Sequence, residues 1–168
     1  MNNPLSQYFR QPSIYIKLPS KGQFYPIGAL NMPANNELPV LPMTAIDEIA
    51  YRTPDGLYNG SSTVNVIQSC CPNITNAWAM PTIDADAILI AIRIATSGSE
   101  MPIDSKCPHC ENESRHSIDL NRYLIGIKTP NYNKTLIVDD LVFKFKPSCP
   151  VLLYPQVNSD PPTLKATL

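Results

Sequence analysis

No run of apolar residues in this chain reaches the roughly 20 that a membrane-spanning helix needs. The opening residues, Met1-Asn-Asn-Pro-Leu-Ser-Gln-Tyr-Phe-Arg10, lack the basic start and apolar centre of a secretory signal, so the expected location is cytoplasmic. Charge of either sign is scarce: 13 Lys and Arg against 14 Asp and Glu leave a net charge of -1, which gives no global field toward DNA, RNA or an anionic membrane. Histidine is nearly absent, with only His109 and His116. There is no glycine-rich phosphate loop, nucleophile elbow or His-Glu-x-x-His helix, which speaks against the enzyme classes built on them. Five cysteines are an odd set without an export signal, and they read as reduced thiols or metal ligands rather than a disulfide framework.

What the chain does have is 43% hydrophobic residues and 18 prolines in 168 positions. That is enough apolar material for one core without covalent staples, with many connections that proline keeps out of helices. The expected fold class is α+β, one domain over residues 1–146 and an irregular tail over 147–168. Within the domain, 1–42 read as a Pro-rich extended arm or short strand pairs, 43–98 as a helical part and 99–146 as a strand-rich part.

Thr44 predicts the cap of a helix from Ala45 to about Arg52, with Asp47 and Glu48 in the first turn where the helix dipole favours negative charge. Thr53-Pro-Asp-Gly56 is a turn signal, and Val64, Ile67 and Cys71 then recur at helical spacing until Pro72. Trp78 sits in a loop and reads as an anchor packed into the core. From Asp84, the expected cap, a helix follows with apolar residues on almost every face, which predicts a central, buried position. Asp84 and Asp86 do not make an acid pair, since alternate positions point to different helix faces; dipole compensation accounts for them. Asp86 and Arg93 lie two turns apart on one face, and Arg93, if buried, needs a carboxylate or carbonyl partner.

After Gly98, Glu100 to Lys106 and Ser114 to Leu120 predict two strands around Cys107-Pro-His-Cys110, a zinc-ribbon-like half site. Two thiols at this spacing can reach one tetrahedral Zn²⁺, so Cys107 and Cys110 are the candidate ligands, with His116 or Cys149 as further ones and His109 inside the knuckle. A metal-free turn of the same shape and a site shared across a chain interface stay open. A thioredoxin-type thiol would open a helix after a strand, whereas this turn leads from strand to strand. Leu120 to Leu124 reads as one helical turn. Lys134 to Val138 and Leu141 to Phe145, joined by Asp139-Asp140, predict a hairpin.

The blocks Lys17-Leu-Pro-Ser-Lys-Gly-Gln-Phe-Tyr-Pro26, Leu38-Pro-Val-Leu-Pro-Met-Thr-Ala-Ile-Asp-Glu48, Thr53-Pro-Asp-Gly-Leu-Tyr-Asn-Gly60, Val66-Ile-Gln-Ser-Cys70 and Ile83 to Thr96 resemble the baseplate hub assembly proteins of T-even-type contractile-tailed bacteriophages. The resemblance runs through Cys107-Pro-His-Cys110 and covers most of Ser13 to Leu124. It implies a hub subunit or assembly chaperone of the phage tail baseplate, binding other hub or tail proteins in the host cytoplasm and catalysing nothing. After Phe145 the chain departs from the family pattern, because Pro150 to Pro155 and a Pro-, Ser- and Thr-rich tail stand where similar proteins continue with a charged helical region. The rival expectation is a zinc-ribbon nucleic-acid adaptor, for which the acids Glu100, Asp104, Glu111 and Glu113 around the knuckle outweigh Lys106 and Arg115.

Overall fold

The computed structural model describes residues 10–54, 56, 60–129, 131–139 and 141–149. A strand pair, a run of helices, a second strand pair, one short helix and a third strand pair follow one another along it, and its sheets are small antiparallel pairs. The expected irregular tail beyond 149 lies outside the described residues.

Strand β1, Ile14–Ile16, pairs antiparallel with β2, Leu38–Val40, so that Tyr15 stands opposite Pro39. Pro39 has no N–H to give, which suits a ladder in which both strands are edges. The sequence places this proline-rich segment at a sheet edge or draped over a surface. The segment does form such a short edge pair, and its Ile16, Leu18, Leu38 and Val40 are buried and belong to the core. Helix α1, Ala45–Tyr51, opens with a capping box: the Asp47 amide donates to the Thr44 hydroxyl at 3.2 Å and the Thr44 amide donates to the Asp47 carboxylate at 2.8 Å. Helix α2, Ser61–Cys70, starts from Gly60 at φ 77°, and its Ser62 hydroxyl donates to the Ala50 carbonyl at 2.7 Å, which fixes α2 against the end of α1.

Helix α3, Thr82–Ser97, runs through the middle of the fold. Its cap position is Pro81, with no side-chain cap; Asp84, expected there, is the third residue of the first turn and is buried. Burial follows a stripe of Asp84, Ala85, Ala87, Ile88, Ala91 and Ile92, while Ile83, Leu89, Ile90 and Ile94 are half-buried. The apolar faces are therefore not all enclosed as the composition suggests. Asp86 is exposed, and Arg93 is half-buried with its guanidinium donating to the Gly98 carbonyl at 3.4 Å. The expected carbonyl partner thus comes from the end of its own helix rather than from another element. The stripe meets Val64, Ile67, Cys70 and Cys71 around α2 together with Ile74 and Met80 from the connection, and Trp78 packs against this core from a 3-10 turn, Ala77–Ala79. Each large side chain so buried contributes about 1.5–3 kcal/mol.

Strands β3, Glu100–Lys106, and β4, Glu113–Asp119, form a seven-pair hairpin, followed at once by helix α4, Leu120–Gly126. Strands β5, Thr135–Val138, and β6, Leu141–Lys144, form the last hairpin, after which the Thr82 amide donates to the Ser148 carbonyl at 2.8 Å and returns the chain to the start of α3.

Candidate functional site

The turn between β3 and β4 places both knuckle cysteines together. The Glu111 amide donates to the Cys107 carbonyl at 2.9 Å and the Cys107 amide to the Asn112 carbonyl at 3.0 Å, closing the loop, with Glu111 at φ 55°. Backbone N–H groups of Cys110 and His109, and then the Cys110 thiol, hold the Cys107 thiol below its ordinary pKa. Such stabilisation of a thiolate is what a metal ligand or a reactive cysteine needs. His116 is elsewhere: it pairs with Ile103, three rungs down the ladder from the Lys106–Glu113 pair and so about 10 Å away, and its Nε2 lies 3.0 Å from the Ser114 hydroxyl. Cys149 is near the Ala79 carbonyl at 3.9 Å, at the start of α3. Among the described residues no three His, Cys, Asp or Glu side chains converge on a common point. The chain brings together two sulfurs of the four donors that a structural zinc site takes.

A second constellation has no sequence signal. The Asp84 carboxylate, 0% exposed, accepts from the Ser20 amide at 2.8 Å, from the Ser20 hydroxyl and from the Tyr25 hydroxyl at 2.9 Å. Burial raises the Asp84 pKa against the lowering effect of these three donors. Burial and then the Asp84 charge push Tyr25 upward as well, so its hydroxyl keeps its proton and stays the donor. The donors lie 64 and 59 residues away in the chain, and the arrangement ties the turn after β1 to the first turn of α3. No catalytic pairing follows from it: the carboxylate is spent on three fixed donors inside the fold.

A third polar cluster fastens the start of the described chain. Arg10 donates to the Pro42 carbonyl and to the Ser69 hydroxyl at 3.1 Å, and stands 3.7 Å from Asp47. Burial pushes the Asp47 pKa up, but bonds from the Thr44 amide and hydroxyl, a Ser69 bond and the Arg10 charge outweigh it and leave the net shift downward.

Beside these interior contacts the surface carries unusual apolar exposure. Leu136, Ile137, Val138, Leu141, Val142, Phe143 and Phe145 are all exposed on or beside the β5–β6 hairpin, and Ile46 and Ile49 are exposed on α1. Contiguous patches of this kind mark sites of association. A groove of about 560 Å³ also lies between the β1 turn and the α3–α4 side, with Ile16, Leu18, Ala87 and Leu124 among its walls and Lys17 and Lys21 beside them. No helix among the described residues is long and apolar enough to cross a membrane.

No curated protein and no solved structure matches the chain. The family model described as T4 bacteriophage base plate protein matches residues 44–154. The match starts within the block Leu38 to Glu48, leaving out the block Lys17 to Pro26, and it continues beyond Phe145, where the sequence is expected to leave the family pattern. It includes α1, the buried stripe of α3, the cysteine knuckle and the exposed hairpin, and it spans well over half of the chain: the protein belongs to the T4 bacteriophage base plate protein family.

Proposed function

We propose that this base plate protein acts as a hub subunit or an assembly chaperone, by binding other tail proteins in the host cytoplasm, without catalysis and without contact to nucleic acid. The observation that carries the reading is the apolar surface of the β5–β6 hairpin, which lies inside the family-matched segment and leaves seven large apolar side chains exposed on or beside it. The charges around the knuckle support a protein rather than a phosphate partner. Arg115 makes a two-pronged pair with Asp104 at 2.8 and 3.2 Å, and Lys106 lies 3.5 Å from Glu111, so these cations are already engaged. In the same reading Cys107 and Cys110 hold Zn²⁺ only when further donors come from a partner chain.

The test is recovery of the tagged protein from infected cells, with identification of what accompanies it and a probe for it in mature particles. Recovery with hub components and absence from particles supports a chaperone; presence in particles supports a subunit. Recovery with nucleic acid alone would overturn both.

A further inference from the structure

The β5–β6 hairpin is a two-stranded ribbon with every residue of both strands exposed. A ribbon of this size is marginal in water, and stability of its own needs three or more strands with an apolar face. Among the described residues both strands are also edges. Natural edges are blunted by proline, a bulge, a covering element or charged side chains, lysine above all; this ladder is continuous from Thr135–Lys144 to Val138–Leu141, and Lys144 is the one charge within its two strands. In a hairpin with a two-residue loop the flanking pair, Val138 and Leu141, exchange hydrogen bonds, so the amides and carbonyls of Val142 and Lys144 point away from β5.

Charge is sorted along the ribbon. Asp139 marks the tip, while Lys144 and Lys146 lie toward the base on the β6 side and Lys134 on the β5 side. Among the described residues none of these lysines has a carboxylate within ion-pair distance. A strand with an acidic tip and a basic base is complementary to an antiparallel copy of itself.

We propose that the outer edge of β6 pairs with β6 of a second copy of this chain about a two-fold axis at Phe143, giving a four-stranded antiparallel sheet. The proposal deepens the protein-binding reading above and rests on it. A two-fold axis normal to the sheet keeps each residue on its own face, so Phe143 meets Phe143 and Val142 meets Lys144, whose outward backbone groups then exchange hydrogen bonds. Leu136, Val138, Leu141, Phe143 and Phe145 of both copies then line one apolar face. Lys146 of each copy comes alongside the Asp139 end of the other, while Lys144 stands beside Val142. The β5 edge offers only Lys134 for the same purpose, which is why β6 is assigned.

Sedimentation of the full chain over about 1–100 µM, with hydrogen exchange read at both ends of that range, tests the pairing. The expected result is a monomer–dimer equilibrium in which the β6 amides gain protection only as the dimer forms. The double change Lys144→Glu, Lys146→Glu should weaken association at least tenfold and Asp139→Asn by less, while Lys134→Glu leaves it within about twofold. All four positions are exposed, and circular dichroism confirms that each variant keeps its fold. Protection of β6 at every concentration would assign the edge to this chain's own residues and overturn the proposal. A monomer with unprotected β6 would also overturn it and leave the edge to a foreign strand, in which case the protein-binding reading survives only if the hairpin variants lose partners in the recovery experiment. Equal loss on both edges would overturn the choice of β6.

Discussion

Replacing Asp84 tests the more deeply buried of the two buried carboxylates among the described residues, Asp84 and Asp47. In Asp84→Ala the Ser20 amide and hydroxyl lose their acceptor where water does not reach, since Ser20 is 2% exposed. Each unsatisfied donor costs about 1–3 kcal/mol, and half-buried Tyr25 recovers part of its loss from solvent. The expected cost is about 3–5 kcal/mol, a large part of a total that is typically 5–15. At about 2–4 °C per kcal/mol for a chain of this length, the melting temperature should fall by about 10 °C. Asp84→Asn keeps the volume and one acceptor, and should cost about 1–2 kcal/mol. The sign with pH follows from the raised Asp84 pKa. A carboxyl whose folded pKa is raised is fully stabilising below its unfolded value near 4 and loses that contribution as pH rises through its folded value. The gap between the native chain and Asp84→Asn should therefore be widest in acid and shrink toward neutrality. Urea unfolding followed by the single tryptophan, Trp78, at about pH 4 and pH 7.5 measures it. A gap that widens with rising pH would show that the three donors outweigh burial, and the reasoning would fail.

Asp47 has the opposite sign: its lowered pKa makes Asp47→Asn cost most above the ordinary carboxylate range, with the difference vanishing as pH falls through the folded value, which acid titration of the two proteins reads directly. Alkylation of the native protein should label Cys107 and Cys110 first, since Cys107 is lowered in pKa and Cys110 is exposed, while burial pushes Cys71 up to about 12 and also raises Cys70; labelling of Cys70 or Cys71 before unfolding would contradict their enclosure. Zinc analysis of the isolated chain after mild chelation should give less than about a tenth of an equivalent, because the knuckle brings together two of the chain's five thiols; one equivalent per isolated monomer would show a complete site within the chain. Arg93→Met should shift stability by no more than about 1 kcal/mol, as the half-buried guanidinium makes one long bond to Gly98; a loss above about 3 kcal/mol in denaturant titration would restore the buried charge that the sequence suggested.

Local chemistry was legible in the sequence and long-range pairing was not. The Thr44 cap, the stop at Pro72 and the strands around the cysteine knuckle each depend on neighbours within a few positions, and each falls within a residue or two of its expected place. Asp84 was misread because an acid near a helix start has a ready explanation in the dipole, and nothing near it announces Ser20 and Tyr25. Proline made the 14–40 segment look peripheral, yet Leu38 and Val40 straddle Pro39 and are completely buried. Composition overstated the enclosure of α3, since a stripe of alanines and isoleucines buries one side as well as a fully apolar helix would bury all of them. The hairpin at 135–144 was readable as strands, but its exposure depends on how the other described residues are placed in space.

The β3–β4 hairpin leaves the core at Ser99 and returns at Leu120, where the Leu120 amide donates to the Ser99 carbonyl at 2.9 Å. Its two ends are therefore already joined where it leaves the body of the fold, and the twenty residues between them close no gap in the core. Evolution can lengthen, shorten or swap this arm without renegotiating the packing of α3 against α4, so the knuckle is a place where related chains are free to diverge in length. The same geometry makes it an insertion point for a reporter or an affinity tag, carried away from the body of the protein on a ready-made stalk.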